Sequence, residues 1–102
     1  MKFGLSEETI NKINAIFSKY PEVEIVIIYG SRAKGDYREG SDIDITLKGK
    51  DLTNKILSKI QGDLDDLNNP YLFDVSIFDH LQSPDLEDHI QRVGQIFYNR
   101  SI

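Results

Sequence analysis

Residues 26–47 read VIIYGSRAKGDYREGSDIDITL, and this stretch carries the clearest structural signals of the chain. An apolar run ends at Tyr29, and Gly30-Ser31 follows it directly. After ten further residues, Asp42-Ile43-Asp44 opens a second run in which polar and apolar residues alternate. The first run is typical of a strand buried on both faces, and the second of a strand with one polar face. The stretch therefore predicts two strands joined by a short glycine-rich segment.

The flanking sequence predicts helices and further strands around this pair. We expect helices from the Ser6 cap to about Tyr20, from Leu52 to Leu67 with Asp51 as cap, and from Ser83-Pro84 to Gly94. A helical turn is expected over Ser31–Lys34. We expect strands over Val23–Tyr29, Asp42–Lys48 and Leu72–Phe78, and a short edge strand over Gln95–Tyr98.

This order of elements predicts an α/β (α+β) fold, with helices packed against a mixed sheet of three to four strands. The connection between the first two strands is too short for a crossover helix, so we expect them to be antiparallel. No repeat or linker divides the sequence, and 102 residues suit one domain, residues 1–102.

The composition narrows the classes of function. Hydrophobic residues make up 39% and charged residues 28%, as in soluble globular proteins. The lack of cysteine excludes disulfides and thiolate metal sites, and it fits a cytoplasmic location. A net charge of -5 argues against general nucleic-acid binding, and no apolar run approaches the ~20 residues of a membrane span. We expect a cytoplasmic protein.

Carboxylates on two of the predicted strands are the candidate catalytic groups. Asp42 and Asp44 project from the same face of their strand, roughly 7 Å apart along the backbone. They can converge on one metal ion or bridge two, and oxygen ligands favour Mg²⁺ or Mn²⁺ over zinc. Asp74 lies among apolar neighbours on a predicted strand, where a charge is unexpected unless it is used. If that strand lies beside the strand of Asp42 and Asp44, Asp74 faces the same site and can bind metal or accept a proton.

The segment after the first strand is the candidate phosphate site. Gly30 allows close approach of the backbone to phosphate, and Ser31 offers a hydroxyl and an N–H group. Arg32 and Lys34 bring cations to the same loop. The weaker candidates here are Arg38 and Ser41.

Simpler interpretations of the same residues stay open. The aspartates of the second strand can form a solvated strand face, and Gly30-Ser31 can be an ordinary turn. Asp74 can be a polar residue of an edge strand, and Arg32 and Lys34 can be solvated loop cations. His80 and His89 have no second histidine or cysteine at metal spacing, which favours surface positions for both.

Three segments together resemble a known family: Gly30–Gly35 (GSRAKG), Ser41–Ile45 (SDIDI) and Phe73–Val75 (FDV). They are similar to the nucleotidyltransferase superfamily of DNA polymerase beta, and most closely to its minimal nucleotidyltransferase (MNT) branch. The resemblance implies transfer of a nucleoside monophosphate, usually AMP from ATP, to a hydroxyl. It implies that Asp42 and Asp44 hold two Mg²⁺ ions, that Asp74 completes the carboxylate set, and that Gly30 and Ser31 contact the triphosphate.

The resemblance also implies a kind of partner. Many MNT proteins resemble antitoxins that are paired with an all-helical HEPN protein, and some modify a tyrosine of that partner with AMP. This chain lacks the second domain that binds the acceptor in larger members, so a HEPN-type protein or a second copy would have to complete the site. Two alternatives stay open: an antitoxin that acts by occlusion without catalysis, and an enzyme that modifies a small molecule such as an aminoglycoside.

Overall fold

The computed structural model describes residues 1–101. Its helices are α1 (Glu7–Phe17), α2 (Gly30–Lys34), α3 (Asn54–Asp65) and α4 (Pro84–Val93). Its strands are β1 (Ile25–Tyr29), β2 (Ile43–Lys48), β3 (Phe73–Ile77) and β4 (Gln95–Asn99), and a 3₁₀ turn covers Phe78–His80. None of the described helices is both long enough and apolar enough to cross a bilayer.

The four strands form one mixed sheet in the order β3-β2-β1-β4. Strand β1 is antiparallel to both β2 and β4, whereas β2 and β3 run parallel. The antiparallel pairing of the first two strands is confirmed, and so are the mixed sheet and the edge strand near the end of the chain. The order matters for function, because it places β3 directly beside the strand that carries Asp44.

One face of the sheet builds the hydrophobic core. The side chains of Ile43, Ile45 and Leu47 alternate along β2 and are completely buried. They belong to one apolar cluster with Phe17 of α1 and Ile60 of α3. The strict alternation of the β2 sequence therefore assigns one face to the core and leaves the other for polar groups.

The opposite face carries the acidic residues. Tyr29, Asp44 and Asp74 are register partners across β1, β2 and β3, so their side chains form one row across the sheet. Helix α4 covers part of this face, because it contacts β1 and places its His89 ring against Tyr29. The β1 side of the row is therefore covered by a helix, while Asp74 on the other side is exposed.

Most helix starts follow the predicted caps. The Ser6 hydroxyl accepts a hydrogen bond from the Thr9 N–H at 3.1 Å, and Ser83 caps α4 with Pro84 as its first residue. The prediction that Asp51 caps the next helix is wrong. Thr53 caps α3 instead, and its hydroxyl accepts from the N–H of Ile56 at 3.2 Å. Asp and Thr are both good caps, so composition alone does not choose between neighbouring positions.

Candidate active site

The turn between β1 and α2 brings the backbone against an acidic side chain. Gly30 has φ +72°, a left-handed conformation that glycine adopts without strain. A Cβ atom at this position would lie 2.5 Å from Oδ2 of Asp44, well inside normal contact distance. The glycine is therefore required twice, once for its backbone angle and once to leave room for the carboxylate.

Two of the three predicted acids are neighbours on one face of the sheet, and the third directly precedes β2, the strand between β3 and β1. Asp44 and Asp74 are direct partners across the parallel β2–β3 pair, where strands are ~4.8 Å apart. Asp42 precedes β2 and lies two residues before Asp44, so strand alternation directs it to the same face. The adjacency of Asp74 to the Asp42-Asp44 strand, on which the sequence argument for this residue depended, is confirmed.

The surroundings of Asp44 disfavour its negative charge. Burial raises its pKa first of all, and the nearby charges of Asp74 and Asp42 raise it further. The positive charges of Arg32 and His89 act in the opposite direction. A half-buried carboxylate beside two like charges is an arrangement that a cation would stabilise.

The acids suit a hard divalent cation in their chemistry, although the protein does not form a closed cage for one. Within residues 1–101, no group of three His, Cys, Asp or Glu side chains is arranged to hold a metal ion by itself. Mg²⁺ typically takes one or two carboxylates and completes its shell with water and substrate phosphates. Asp42, Asp44 and Asp74 supply oxygen donors on one open face, which fits this mode of binding. Their joint role as metal ligands stays a prediction.

The predicted phosphate-side residues occupy different environments. Ser31 is half-buried within α2, next to Gly30, whereas Lys34 is exposed and pairs with Asp36 at 3.7 Å. The Ser41 hydroxyl accepts a hydrogen bond from the Arg38 N–H at 2.8 Å and so closes the loop before Asp42. The contacts of Ser31, Lys34 and Ser41 with phosphate stay predictions.

Arg32 differs most from its sequence-based interpretation. Its side chain is only 3% exposed, and its N–H groups donate to the backbone carbonyls of Phe3 and Ser41. A solvated loop cation is therefore excluded for this residue. Its contact with phosphate stays a prediction, and the structure assigns these N–H groups to carbonyl oxygens.

Two residues near the acids were missed by the sequence argument. Tyr29 is 8% exposed, and burial followed by the charge of Asp74 raises the pKa of its phenol. The ring of His89 meets the Tyr29 ring edge-on, with 6.3 Å between centroids. Tyr29 could have been identified from its place directly before Gly30, but only the packing of α4 reveals His89.

Comparison with known proteins identifies the family of this chain. The family model described as "Polymerase beta, Nucleotidyltransferase" matches residues 11–102. A curated relative from Methanocaldococcus jannaschii, named "Putative protein adenylyltransferase", is 44% identical over 55 residues, which cover 46% of this chain and 55% of the relative. The chain thus matches about half the length of that relative.

Solved structures share the fold. A toxin-antitoxin crystal structure with AMP-PNP matches with a TM-score of 0.73 and 22% identity, covering 88% of this chain and 73% of the other. A structure of tri-AMPylated Shewanella oneidensis HEPN toxin in complex with MNT antitoxin matches with a TM-score of 0.62 and 19% identity, covering 95% and 75%. The family match contains every predicted site residue, from Gly30 to Asp74, and the chain belongs to the polymerase beta nucleotidyltransferase family.

Proposed function

We propose that this protein is a metal-dependent nucleotidyltransferase that moves AMP from ATP to a hydroxyl group of a partner protein. The acceptor is a tyrosine of a small all-helical HEPN-type protein, and the transfer makes this chain the antitoxin of the pair. The observation that carries the proposal is the row in which Asp44 and Asp74 are register partners, directly against the Gly30 turn. The reaction takes place in the cytoplasm, where ATP is supplied.

The residues divide the chemistry between them. The acceptor oxygen attacks the α-phosphorus of ATP, and the bond from that phosphorus to the oxygen of the pyrophosphate leaving group breaks. Asp74 accepts the hydroxyl proton, because it is the exposed acid on the outer strand of the row. Gly30 and Ser31 bind the triphosphate through their backbone, with Ser41 and Lys34 at the periphery.

Asp42, Asp44 and Asp74 would hold two Mg²⁺ ions, or Mn²⁺ in their place. Bound there, these ions neutralise charge on the phosphates and on the carboxylates. The raised pKa of Asp44 is consistent with such a site, because burial and its acidic neighbours leave its charge without sufficient compensation in the protein alone.

The exposed position of Asp74 leaves room for an acceptor presented by another protein. Asp74 lies on β3, an edge strand of the sheet, and is exposed. A docked protein can therefore present a side chain to it directly. We place the HEPN-type partner on this side, and a second copy of the chain is the other way to complete the acceptor site.

Transfer of label from ATP tests the proposal. The protein is incubated with ATP labelled at the α-phosphate, Mg²⁺ and the product of the adjacent gene, and we expect label on a tyrosine of that product. The double variant Asp42→Asn, Asp44→Asn should transfer none. Undiminished transfer by this variant would refute the assigned roles. The variant Asp88→Asn, which changes an exposed acid on α4, is the matched control.

One observation favours a second candidate, an antitoxin that acts by occlusion alone. The acids of residues 1–101 form no ready-made metal cluster. On this alternative, the double variant neutralises the partner as well as the unaltered protein does, and calorimetry with Mg²⁺ and ATP detects no binding. Loss of neutralisation in the double variant, together with measurable nucleotide binding, would exclude occlusion as the mechanism.

A further inference from the structure

A buried guanidinium joins the two ends of the phosphate loop to the start of the chain. The Nη2 and Nε groups of Arg32 donate to the carbonyl oxygen of Ser41 at 2.8 and 3.2 Å. Its Nη1 group donates to the carbonyl oxygen of Phe3 at 2.9 Å. Three of the donors of one side chain are thus directed at two backbone carbonyls in separate segments.

The charge of this guanidinium is held without an acidic partner. Among residues 1–101, Arg32 forms no salt bridge. The ring of Tyr71 lies 4.9 Å from the guanidinium carbon and that of Tyr37 lies 5.4 Å from it, as in cation–π contacts. A buried cation held only by carbonyls and rings is uncommon, because burial of an unpaired charge is costly. Its positive charge acts to lower the pKa of Asp44, against the larger effect of burial.

The N-terminal turn presents the second carbonyl to Arg32. Lys2 and Leu5 exchange two backbone hydrogen bonds, of 3.1 and 2.9 Å. Between them, Phe3 and Gly4 both have positive φ, +58° and +73°. Such an angle is unfavourable for Phe3, yet its ring is stacked on that of Phe97 at 5.9 Å, which holds the turn against the sheet.

The other carbonyl that Arg32 holds, that of Ser41, belongs to the peptide bond between Ser41 and Asp42. The peptide plane between residues 41 and 42 is rigid, so fixing its oxygen restricts the backbone from which the Asp42 side chain projects. Asp42 itself is exposed and precedes the first residue of β2, and the peptide that follows it is held by a bond from the Ile43 N–H to the Leu72 carbonyl at 2.9 Å. The two bonds from Arg32 hold the peptide on the other side of Asp42 and so restrict the direction of its side chain.

We propose that Arg32 is a positioning residue, which orients Asp42 through the Ser41 carbonyl and is itself set in place by the N-terminal turn of residues Lys2–Leu5. The inference rests on the proposed nucleotidyl transfer. On this inference the Lys2–Leu5 turn, which is remote from the acids, helps to arrange the metal site. Arg32 then acts by holding the backbone and does not bind phosphate directly.

Two substitutions disturb this arrangement from different ends. Arg32→Lys keeps the positive charge but cannot make three donations in a planar fork. In Gly4→Ala, the new Cβ would overlap the ring of Tyr37 and lie 2.9 Å from Nη1 of Arg32, so the packing of both side chains against the N-terminal turn is disturbed. The controls are Arg92→Lys, at an exposed pair on α4, and Gly62→Ala, whose Cβ would meet nothing within 4 Å.

The decisive measurement is calorimetric binding of Mg²⁺ in the presence of a non-hydrolysable ATP analogue. We expect both variants to weaken Mg²⁺ binding by roughly 10-fold or more, as loss of a supporting hydrogen bond to a metal ligand does. Affinity for the analogue at saturating Mg²⁺ should change less than about twofold. Because Arg32→Lys and Gly4→Ala act through the same contact, their effects should not add. The double variant should bind Mg²⁺ about as tightly as whichever single variant has the lower affinity.

A second measurement needs no substitution. In ¹H–¹⁵N spectra of the unaltered protein with the analogue, addition of Mg²⁺ should shift the Arg32 Nε–H and Gly4 amide signals but not the Gly62 amide.

Weakened binding of the analogue in Arg32→Lys, with unchanged Mg²⁺ affinity, would make Arg32 a phosphate ligand and overturn the inference. Static Arg32 and Gly4 signals, or absence of Mg²⁺ binding by the unaltered protein, would overturn it too. If Mg²⁺ binds as expected but no label reaches any acceptor, the proposed transfer fails while the positioning role stands.

Discussion

Gly30 and Asp44 are packed so closely that a methyl group on the glycine would occupy the space of the carboxylate. The Cβ of such a group would lie 2.5 Å from Oδ2 of Asp44. Because glycine has no side chain, the proposed phosphate turn can lie directly against the proposed metal site.

Gly30→Ala should therefore damage both stability and chemistry. The left-handed angle of +72° costs an alanine about 1–2 kcal/mol, and the carboxylate has to move away. We expect the free energy of unfolding, measured in urea, to fall by at least that amount and label transfer to be lost. Gly62→Ala is the control. It lies in an exposed helix position with open space around its Cβ and should stabilise by about 0.5–1 kcal/mol. Full activity in Gly30→Ala would contradict the assigned contact.

Removal of the negative charge of Asp44 should abolish transfer and stabilise the fold. Asp44 is half-buried beside Asp42 and Asp74, and its charge is disfavoured there. We expect Asp44→Asn to raise the unfolding midpoint slightly in EDTA, while it abolishes transfer. Mg²⁺ at 100 times its dissociation constant should stabilise the unaltered protein by about 2.7 kcal/mol and the variant not at all. An equal response of both proteins to Mg²⁺ would place the ion elsewhere.

A hydrogen-bonded pair, Tyr20 in the turn after α1 and Asp63 on α3, gives the fold a measurable pH dependence. The Tyr20 hydroxyl donates to Oδ2 of Asp63 at 2.5 Å. This hydrogen bond, followed by burial, raises the pKa of Tyr20 to about 12, and the same bond lowers the pKa of Asp63. A raised tyrosine pKa stabilises the fold below pH ~10 and ceases to do so as the pH rises to about 12. A lowered aspartate pKa stabilises it above pH ~4, and this contribution is lost as the pH falls further.

Thermal unfolding of Tyr20→Phe across this range checks the pair. The difference in midpoint between the unaltered protein and the variant should be largest from about pH 5 to 9 and should shrink on both sides. Tyr98→Phe serves as the control, because the Tyr98 hydroxyl makes no hydrogen bond to the described part of the chain. A difference that is independent of pH would show that the Tyr20–Asp63 bond does not form in solution.

Truncation to alanine should reduce the free energy of unfolding far more on the core face of β2 than at the residue before β3. Ile45 is completely buried, whereas Leu72 is 72% exposed. Ile45→Ala should cost about 2–5 kcal/mol of unfolding free energy, through lost burial and the cavity left behind. Leu72→Ala should stay within about 0.5 kcal/mol. Similar losses at the two positions would mean that Leu72 is covered in solution.

Local patterns were sufficient to predict most of the sheet. The strict alternation of Ile43, Ile45 and Leu47 fixed the orientation of β2, and the short segment after Ser31 excluded a crossover helix. Asp74 could be placed beside Asp44 only conditionally, because strand order depends on long-range packing that no local pattern records. The parallel pairing of β2 and β3 supplied that condition.

The role of Arg32 illustrates what the sequence could not convey. A cation in a glycine-rich loop reads as a phosphate contact, because composition reports charge and not burial. Its burial depends on the carbonyl of Phe3, 29 positions earlier in the chain, and on the rings of Tyr37 and Tyr71. His89 is half-buried on α4, and only the packing of that helix reveals that its ring meets the Tyr29 ring.

The sheet assigns folding and chemistry to opposite sides of the same strands. The side chains that exclude water from the interior point one way, and the acids point the other, so neither group depends on the identity of the other. A descendant could lose all three carboxylates and keep its shape. A shared fold therefore does not show that a member of this family transfers nucleotides. The residues in the row through Asp44 are the ones that distinguish an active member from an inactive one.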